Sequence, residues 1–357
     1  MAPKPDLTES FIALALQVTC HAVNRATTRQ EASELMLETI KRLSEQIAAS
    51  IAFIGADCRL ILLPEYFLTG FPLGESIDEW AEKACLSMQG IEYEALSKIA
   101  QRHSIFLCGN AYELDPNFPG LYFQTCFIID PTGSIVLRYR RLNSMFAPTP
   151  HDVWDKYLDI YGLEGVFPVA KTEIGNLAAV ASDEILFPEV ARCLTMRGAE
   201  IILHPTSEVY GKELAPKQAA KISRAVENMV YVVSANTAGI VNTPIPAASV
   251  DGGSKIIDYR GIVLTETGAG ESMAAFAEID LAALRRYRKR PGLNNLLARQ
   301  RFELYAETYA QTKLYPPNTM LEGEIERKHF IKTQQEVIEK MGIGNGEWGM
   351  GNGNIIN

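Results

Sequence analysis

The chain has 357 residues, 47% of them apolar and 22% charged, with a net charge of −9. That is the composition of a globular protein long enough to bury its own core without disulfide staples. The acidic balance and the lack of a long basic stripe exclude nucleic acid as the main partner. No run of about 18 apolar residues offers a membrane span, and MAPKPDLTES has no apolar stretch of a secretory signal.

Residues 11–18 (FIALALQV) read as a buried strand. From residue 24 to about 54, Leu35, Met36, Ile40, Leu43, Ile47 and Ile51 recur at helical spacing, which predicts a long amphipathic helix. Residues 60–64 read as a second buried strand, 91–102 as a helix and 105–108 as a strand again. Two strands, 122–130 and 134–140, flank Asp130-Pro131-Thr132-Gly133, a strong hairpin turn. The same grammar repeats in the second half: strands at 176–181, 200–203 and 231–234, helices at 189–197 and 217–229, with Gly198 closing the first of these helices. Residues 255–258 and 262–265 form a further hairpin around Arg260-Gly261. Beyond residue 281 come a basic run (Arg285, Arg286, Arg288, Lys289 and Arg290), expected as a solvated helix face or a subunit contact, and a polar helix near 332–340. A Gly/Asn-rich end follows, expected to be a flexible tail. Strand–helix alternation mixed with hairpins predicts helices outside mixed sheets.

The six cysteines (Cys20, Cys58, Cys85, Cys108, Cys126 and Cys193) form no CxxC pair and no cluster with metal spacing. They read as reduced core thiols in a reducing, cytoplasmic setting. Chemistry could live in three other places. Glu65 follows the apolar strand of Leu62-Leu63-Pro64, at a sheet rim where burial can make a carboxylate a base. The ordinary reading of such a residue is a cap or ion-pair partner. Arg138-Tyr139-Arg140-Arg141 ends a hairpin strand, and its ordinary reading is a solvated edge. In Ala181-Ser182-Asp183-Glu184 a strand ends on a hydroxyl residue and turns into a helix, which exposes a side chain near backbone amides.

Five segments in order resemble the nitrilase, or carbon–nitrogen hydrolase, superfamily. They are PEYFLTG, DPTGSIVLRYRR, AVASDEILFPEVARCLTMRGAEIILHP, SRAVENMVYVVSAN (through Arg224, Ala225, Glu227 and Asn228) and GGSKIIDYRGIVL. The resemblance spans about four-fifths of the chain. It implies an α/β fold, a four-layer α-β-β-α sandwich, over residues 1–300. A C-terminal extension over 301–340, similar to that of aliphatic-amidase-like members, is expected in oligomer contacts, and 341–357 is expected as the tail. It implies a homodimer or larger homo-oligomer, no metal and no organic cofactor, and a small amide, nitrile or carbamoyl compound as partner.

Carried over residue by residue, the family's catalytic glutamate falls on Glu65, its lysine on Arg141 and its cysteine on Ser182. Tyr66, Asp152, Asp183 and Glu184 are the expected substrate-side residues, with Asp152 as the acid in the 147–155 loop. A thiol ionises near 8.5 and a water-like hydroxyl near roughly 15.7, so an ionised nucleophile here is harder to reach by about 10 kcal/mol. Serine hydrolases recover such a deficit with a poised histidine, and none stands beside this motif in the sequence. Arg in place of Lys brings a wide, planar cation able to pair with Glu65 and make it a poorer base. Two expectations follow: an enzyme with altered or weakened chemistry, or a catalytically inactive member that binds a small ligand or a partner protein. The 71–79 and 146–161 loops, with Trp154, Tyr157 and several acids, suggest a polar or cationic ligand.

Overall fold

A computed structural model describes residues 8–209, 214–321 and 326–341, without the side chains of residues 214 and 215. Apart from Met341, the end predicted as a tail lies outside the described residues. The first half runs β1 (Ser10–Ala15), β2 (Cys20–His21), α1 (Arg29–Ile54), β3 (Cys58–Leu62), α2 (Ile77–Ala84), β4 (Leu86–Ser87), α3 (Ile91–His103), β5 (Phe106–Leu114), β6 (Tyr122–Ile129) and β7 (Ile135–Arg140). Then come α4 (Trp154–Val166), β8 (Ala170–Thr172), β9 (Gly175–Ala179), α5 (Pro188–Met196), β10 (Ile201–Thr206), α6 (Leu214–Asn228), β11 (Tyr231–Asn236) and β12 (Ile240–Val241). The chain continues with β13 (Lys255–Ile257), β14 (Val263–Glu266), β15 (Phe276–Asp280), α7 (Leu281–Lys289), α8 (Glu303–Gln311) and α9 (Lys328–Lys340).

One sheet has the order β15-β1-β3-β5-β6-β7, with β4 beside β5; the other is β14-β13-β11-β10-β9-β8. In each sheet the middle strands are parallel and the margins antiparallel. The layering follows from side-chain alternation, since successive residues of a strand point to opposite faces. In the first sheet Ala13, Ala15, Leu60, Leu62, Phe106, Cys108, Cys126 and Ile128 join one core with the second sheet, α5, α6 and α7. Their neighbours Leu14, Ile61, Leu107, Phe127 and Ile129 join the other, with Met36, Ile40, Leu43 and Ile47 of α1 and Leu96 and Ile99 of α3. The order is therefore helices, sheet, sheet, helices, the expected four-layer sandwich.

Local chemistry sets the element ends. α1 starts at Arg29 and not near residue 24, because Thr28 caps it by accepting from the Glu31 amide (3.2 Å). The β6–β7 turn is held by Asp130, whose Oδ1 accepts from the Thr132 and Ser134 amides (2.9 and 3.0 Å), with Gly133 at φ +85°. Gly198, at φ +104°, ends α5 as expected. The basic run after residue 281 departs from its expectation at two positions. Arg285 forks onto Glu200 (2.7 and 2.9 Å), and Arg288 caps the carbonyls of Met229 and Ala199 (2.9 and 2.8 Å), so α7 is stapled to the second sheet. Arg286, Lys289 and Arg290 are exposed.

The C-terminal segment returns to the first half. Met320 and Phe330 enter its core. Arg327 donates to the carbonyls of Glu75 (2.5 Å), Ser76 (3.3 Å) and Phe146 (2.8 Å), so one side chain ties together the loops that follow Glu65 and Arg141.

Candidate active site

The site lies on the inner face of the first sheet, where β3, β5, β6 and β7 end against the turn after β9. Along this face apolar residues give way to Asn110 on β5 and Gln124 on β6, both buried. Glu65, 1% exposed, comes just after β3. Its Oε1 accepts from Gln124 Nε2 at 2.5 Å, and Gln124 Nε2 also lies 3.2 Å from Asn110 Oδ1. Glu65 Oε2 has no hydrogen-bond partner among the described groups.

Arg141, 5% exposed, follows β7, and its guanidinium is engaged on every nitrogen. Nε donates to the Asn143 carbonyl (2.7 Å). Nη1 donates to Gln124 Oε1 (2.7 Å) and lies 3.6 Å from Glu65 Oε1. Nη2 pairs with Asp183. Burial alone would loosen its proton, but the surrounding Tyr66, Glu65, Glu184 and Tyr112 outweigh that and hold the guanidinium above its ordinary value. The ordinary reading of this stretch, a solvated edge, does not hold for its last two residues: Arg140 and Arg141 are both buried, because the end of β7 is covered on both faces.

Ser182 opens a tight 3-10 turn, Ser182–Leu186, at φ +50°, left-handed backbone that a non-glycine residue adopts only when its surroundings impose it. Arg224 of α6 donates to the carbonyls of Ile185 (2.9 Å) and Leu186 (3.1 Å), which gives the Arg-Ala-x-Glu-Asn segment a physical role in fixing this turn. Glu184, fully buried, accepts from Tyr139 Oη (2.7 Å) and from the amides of Leu142 (2.7 Å) and Asn143 (2.8 Å). It welds the chain after Arg141 to the turn after Ser182. Burial raises the Glu184 carboxyl above the usual range, against the lowering influence of Arg141 and these donors. Tyr66, at φ +58°, stacks on Tyr112 (5.5 Å), and burial followed by the Glu65 charge pushes its hydroxyl up.

Glu65, Arg141, Asp183, Ser182 and Glu184 are therefore brought together. Asp152 is occupied elsewhere. Its Oδ2 accepts from Thr149 N and Oγ1 (2.9 and 2.7 Å), and its Oδ1 from Thr319 Oγ1 (2.9 Å), so it caps its own turn and anchors the C-terminal segment. Tyr157 and Tyr161 do not await an external cation: they pack on Arg140 of the chain itself. Sequence reasoning missed Gln124, Asn110 and His204. Gln124 had a signal, as the one amide in the otherwise apolar YFQTCFII strand. His204, on β10, faces the Ser182 backbone and not its hydroxyl: Nε2 is 2.7 Å from the Ser182 carbonyl oxygen. Cys193, expected in the core, is only partly buried on α5. Among the described residues no group of three or more His, Cys, Asp or Glu is placed to hold a metal ion.

A buried carboxylate, a buried cation and a serine with left-handed backbone thus lie at one end of the inner layer of an α-β-β-α sandwich. The chain belongs to the carbon–nitrogen hydrolase family, whose description matches residues 18–289. It is 25% identical over 283 residues to the omega-amidase NIT2 of Mus musculus, covering 78% of this chain and 97% of that one. It is 29% identical over 252 residues to the nitrilase and fragile histidine triad fusion protein NitFhit of Caenorhabditis elegans, covering 70% of this chain but 54% of the fusion protein. Its fold matches that of Nit3 from Saccharomyces cerevisiae, a nitrilase-superfamily member, with a TM-score of 0.63 and 20% identity over 81% of this chain and 96% of that one. Among the described residues no helix is long and apolar enough to cross a membrane.

Proposed function

We propose that this protein takes a small amide, nitrile or carbamoyl compound at the Glu65–Arg141–Ser182 site and hydrolyses it weakly, through serine in place of the family's thiol. The observation that carries this reading is the engagement of Arg141. Its three nitrogens are held by Asn143, Gln124, Glu65 and Asp183. A guanidinium so bound must release a partner, most readily the half-exposed Asp183, before it can meet the oxygen of a ligand. In turnover Ser182 Oγ attacks the carbonyl carbon and Glu65 takes the hydroxyl proton on its unpartnered Oε2. Arg141 faces the developing oxyanion, the amine leaves with a proton, and water then resolves the ester. The names of relatives such as omega-amidase support the amide class. Tyr66, Asp183 and Glu184 frame the ligand in this reading, and Asp152 acts through the loop it caps.

The same network favours a second reading, a catalytically inactive member that binds a ligand or partner protein, because the polar groups of the site already satisfy one another. Ammonia release from a panel of amides, nitriles and carbamoyl compounds separates the two. Slow release that vanishes with Ser182→Ala and rises with Ser182→Cys plus Arg141→Lys is the expected result. Silence from the natural protein with activity in the double variant supports the binding reading. We further propose a cytoplasmic setting, which suits six free thiols, and a homo-oligomer in which residues 301–340 make contacts.

A further inference from the structure

His204 sits at 0% exposure between two partners. Nε2 lies 2.7 Å from the Ser182 carbonyl oxygen, and Nδ1 lies 2.9 Å from Ser234 Oγ. A carbonyl oxygen only accepts, so Nε2 must carry the ring proton, and Nδ1 must then accept from the Ser234 hydroxyl. The ring and its Ser234 partner are on fixed elements: His204 on β10 and Ser234 on β11 are paired neighbours in the parallel register. We infer that His204 is a positioning residue whose Nε2–H clamps the carbonyl of Ser182 and so holds that residue in its left-handed conformation at the mouth of the site. This rests on the reading of Ser182 as the group that meets the ligand.

Three features support a clamp over a merely space-filling histidine. First, Ser182 at φ +50° needs an outside constraint, and the other contacts that fix the turn fall on its neighbours: Arg141 on Asp183, Tyr139 and the Leu142 and Asn143 amides on Glu184, and Arg224 on the Ile185 and Leu186 carbonyls. Second, the ring is kept neutral. Burial and then the nearby Lys221 press against a second proton, Lys217 adds to them, and Glu208 opposes, so the histidine is pushed down to about 3. Third, the tautomer is not free to switch, because a proton moved to Nδ1 would leave Nε2 facing the Ser182 carbonyl oxygen with nothing to donate, whereas the Ser234 hydroxyl serves Nδ1 in either role. The arrangement also excludes His204 as the general base of a serine hydrolase, since its proton-bearing nitrogen faces a carbonyl.

The test begins on the unaltered protein. Long-range proton–nitrogen spectra should show His204 protonated on Nε2 only and unchanged from about pH 5 to about pH 8. A proton on Nδ1, or a ring that titrates in that range, overturns the clamp. A second arm follows amide exchange at Glu184 and Phe187, the amides that close the turn after Ser182. His204→Leu removes the donor and should speed their exchange about tenfold, whereas His204→Gln, which can place an amide N–H where Nε2 stood, should hold them near the natural rate. Equal exchange in the Leu and Gln variants overturns the proposal. An Nε2 tautomer with donor-dependent exchange, found together with an ammonia-release panel that stays silent in every variant, would sustain the clamp and end the amide reading.

Discussion

Arg140 and Arg141 are adjacent and both buried, yet they belong to two regions built on different principles. Arg140 leaves β7 on the outer face. Its guanidinium lies 4.7 Å from the ring centres of Phe123 and Tyr161 and pairs with Asp115 at 2.5 Å, with Glu113 at 3.9 Å. Both carboxylates are themselves buried, so every charge has a fixed opposite. Arg141 turns to the inner face, where its partners are an amide, a carbonyl, a carboxylate at 3.6 Å and Asp183, whose side chain is 40% exposed. The outer region is held by buried opposite charges and stacked rings, with Arg140 Nε and Nη1 left without a hydrogen-bond partner among the described groups. The inner one is an arrangement that can change partners, which is what a site requires.

The sharpest way to break this contrast is to remove each cation in turn. Arg140→Met leaves the buried Asp115 charge without its cation, while Glu113 keeps Arg138 at 2.9 Å, and should lower stability by about 3–5 kcal/mol in urea unfolding. The pH dependence of stability should come next. His204 is held below its ordinary value of 6.5, at about 3, so the unfolded chain binds a proton there that the folded chain refuses. Its contribution is complete above about pH 6.5 and is lost as pH falls toward 3. Between pH 7 and 4.5 the natural protein should lose about 2–3 kcal/mol more than His204→Gln does. Arg141→Met should cost less than its neighbour, about 1–2 kcal/mol, because Asp183 can turn to water and Glu65 keeps the Gln124 donor. Equal losses for the two arginines would show that the inner cation is structural after all, against the proposed function. The smallest effect belongs to Asp152→Ala, which removes a cap and a tie to Thr319 and should cost about 1 kcal/mol. Its main signature should be faster exchange at Asn318 and Met320, whose amides bond to the His151 and Asp152 carbonyls.

The contrast also shows what the sequence could say. Strands and the Asp130 turn were legible because alternation and turn chemistry are local. The start of α1 was readable too, since Thr28 and Glu31 stand three apart ahead of the apolar repeat, the pattern of a cap, although periodicity alone drew the helix too long. Glu65, Arg141 and Ser182 were found through their surrounding motifs. Taken alone, the run of cations that ends in Arg141 reads as a wet edge, because four residues carry no sign of what covers them. Gln124, Asn110 and His204 stayed hidden for a related reason: a lone polar residue in an apolar strand discloses its partner only once the register is known. The anchoring of Arg327 was likewise invisible, as it depends on where the last segment returns, and α8, exposed along its length, has no buried face to leave a pattern.

The pairing of β1 with β15, Ser10 opposite Asp280, has a consequence for synthesis. β1 lies between β15 and β3, and its partner on one side is translated some 270 residues later. At roughly 5–20 residues per second that interval is tens of seconds. Through it, a nascent chain whose first sheet has begun to form carries an open edge beside the ribosome, and only the late arrival of β15 closes it.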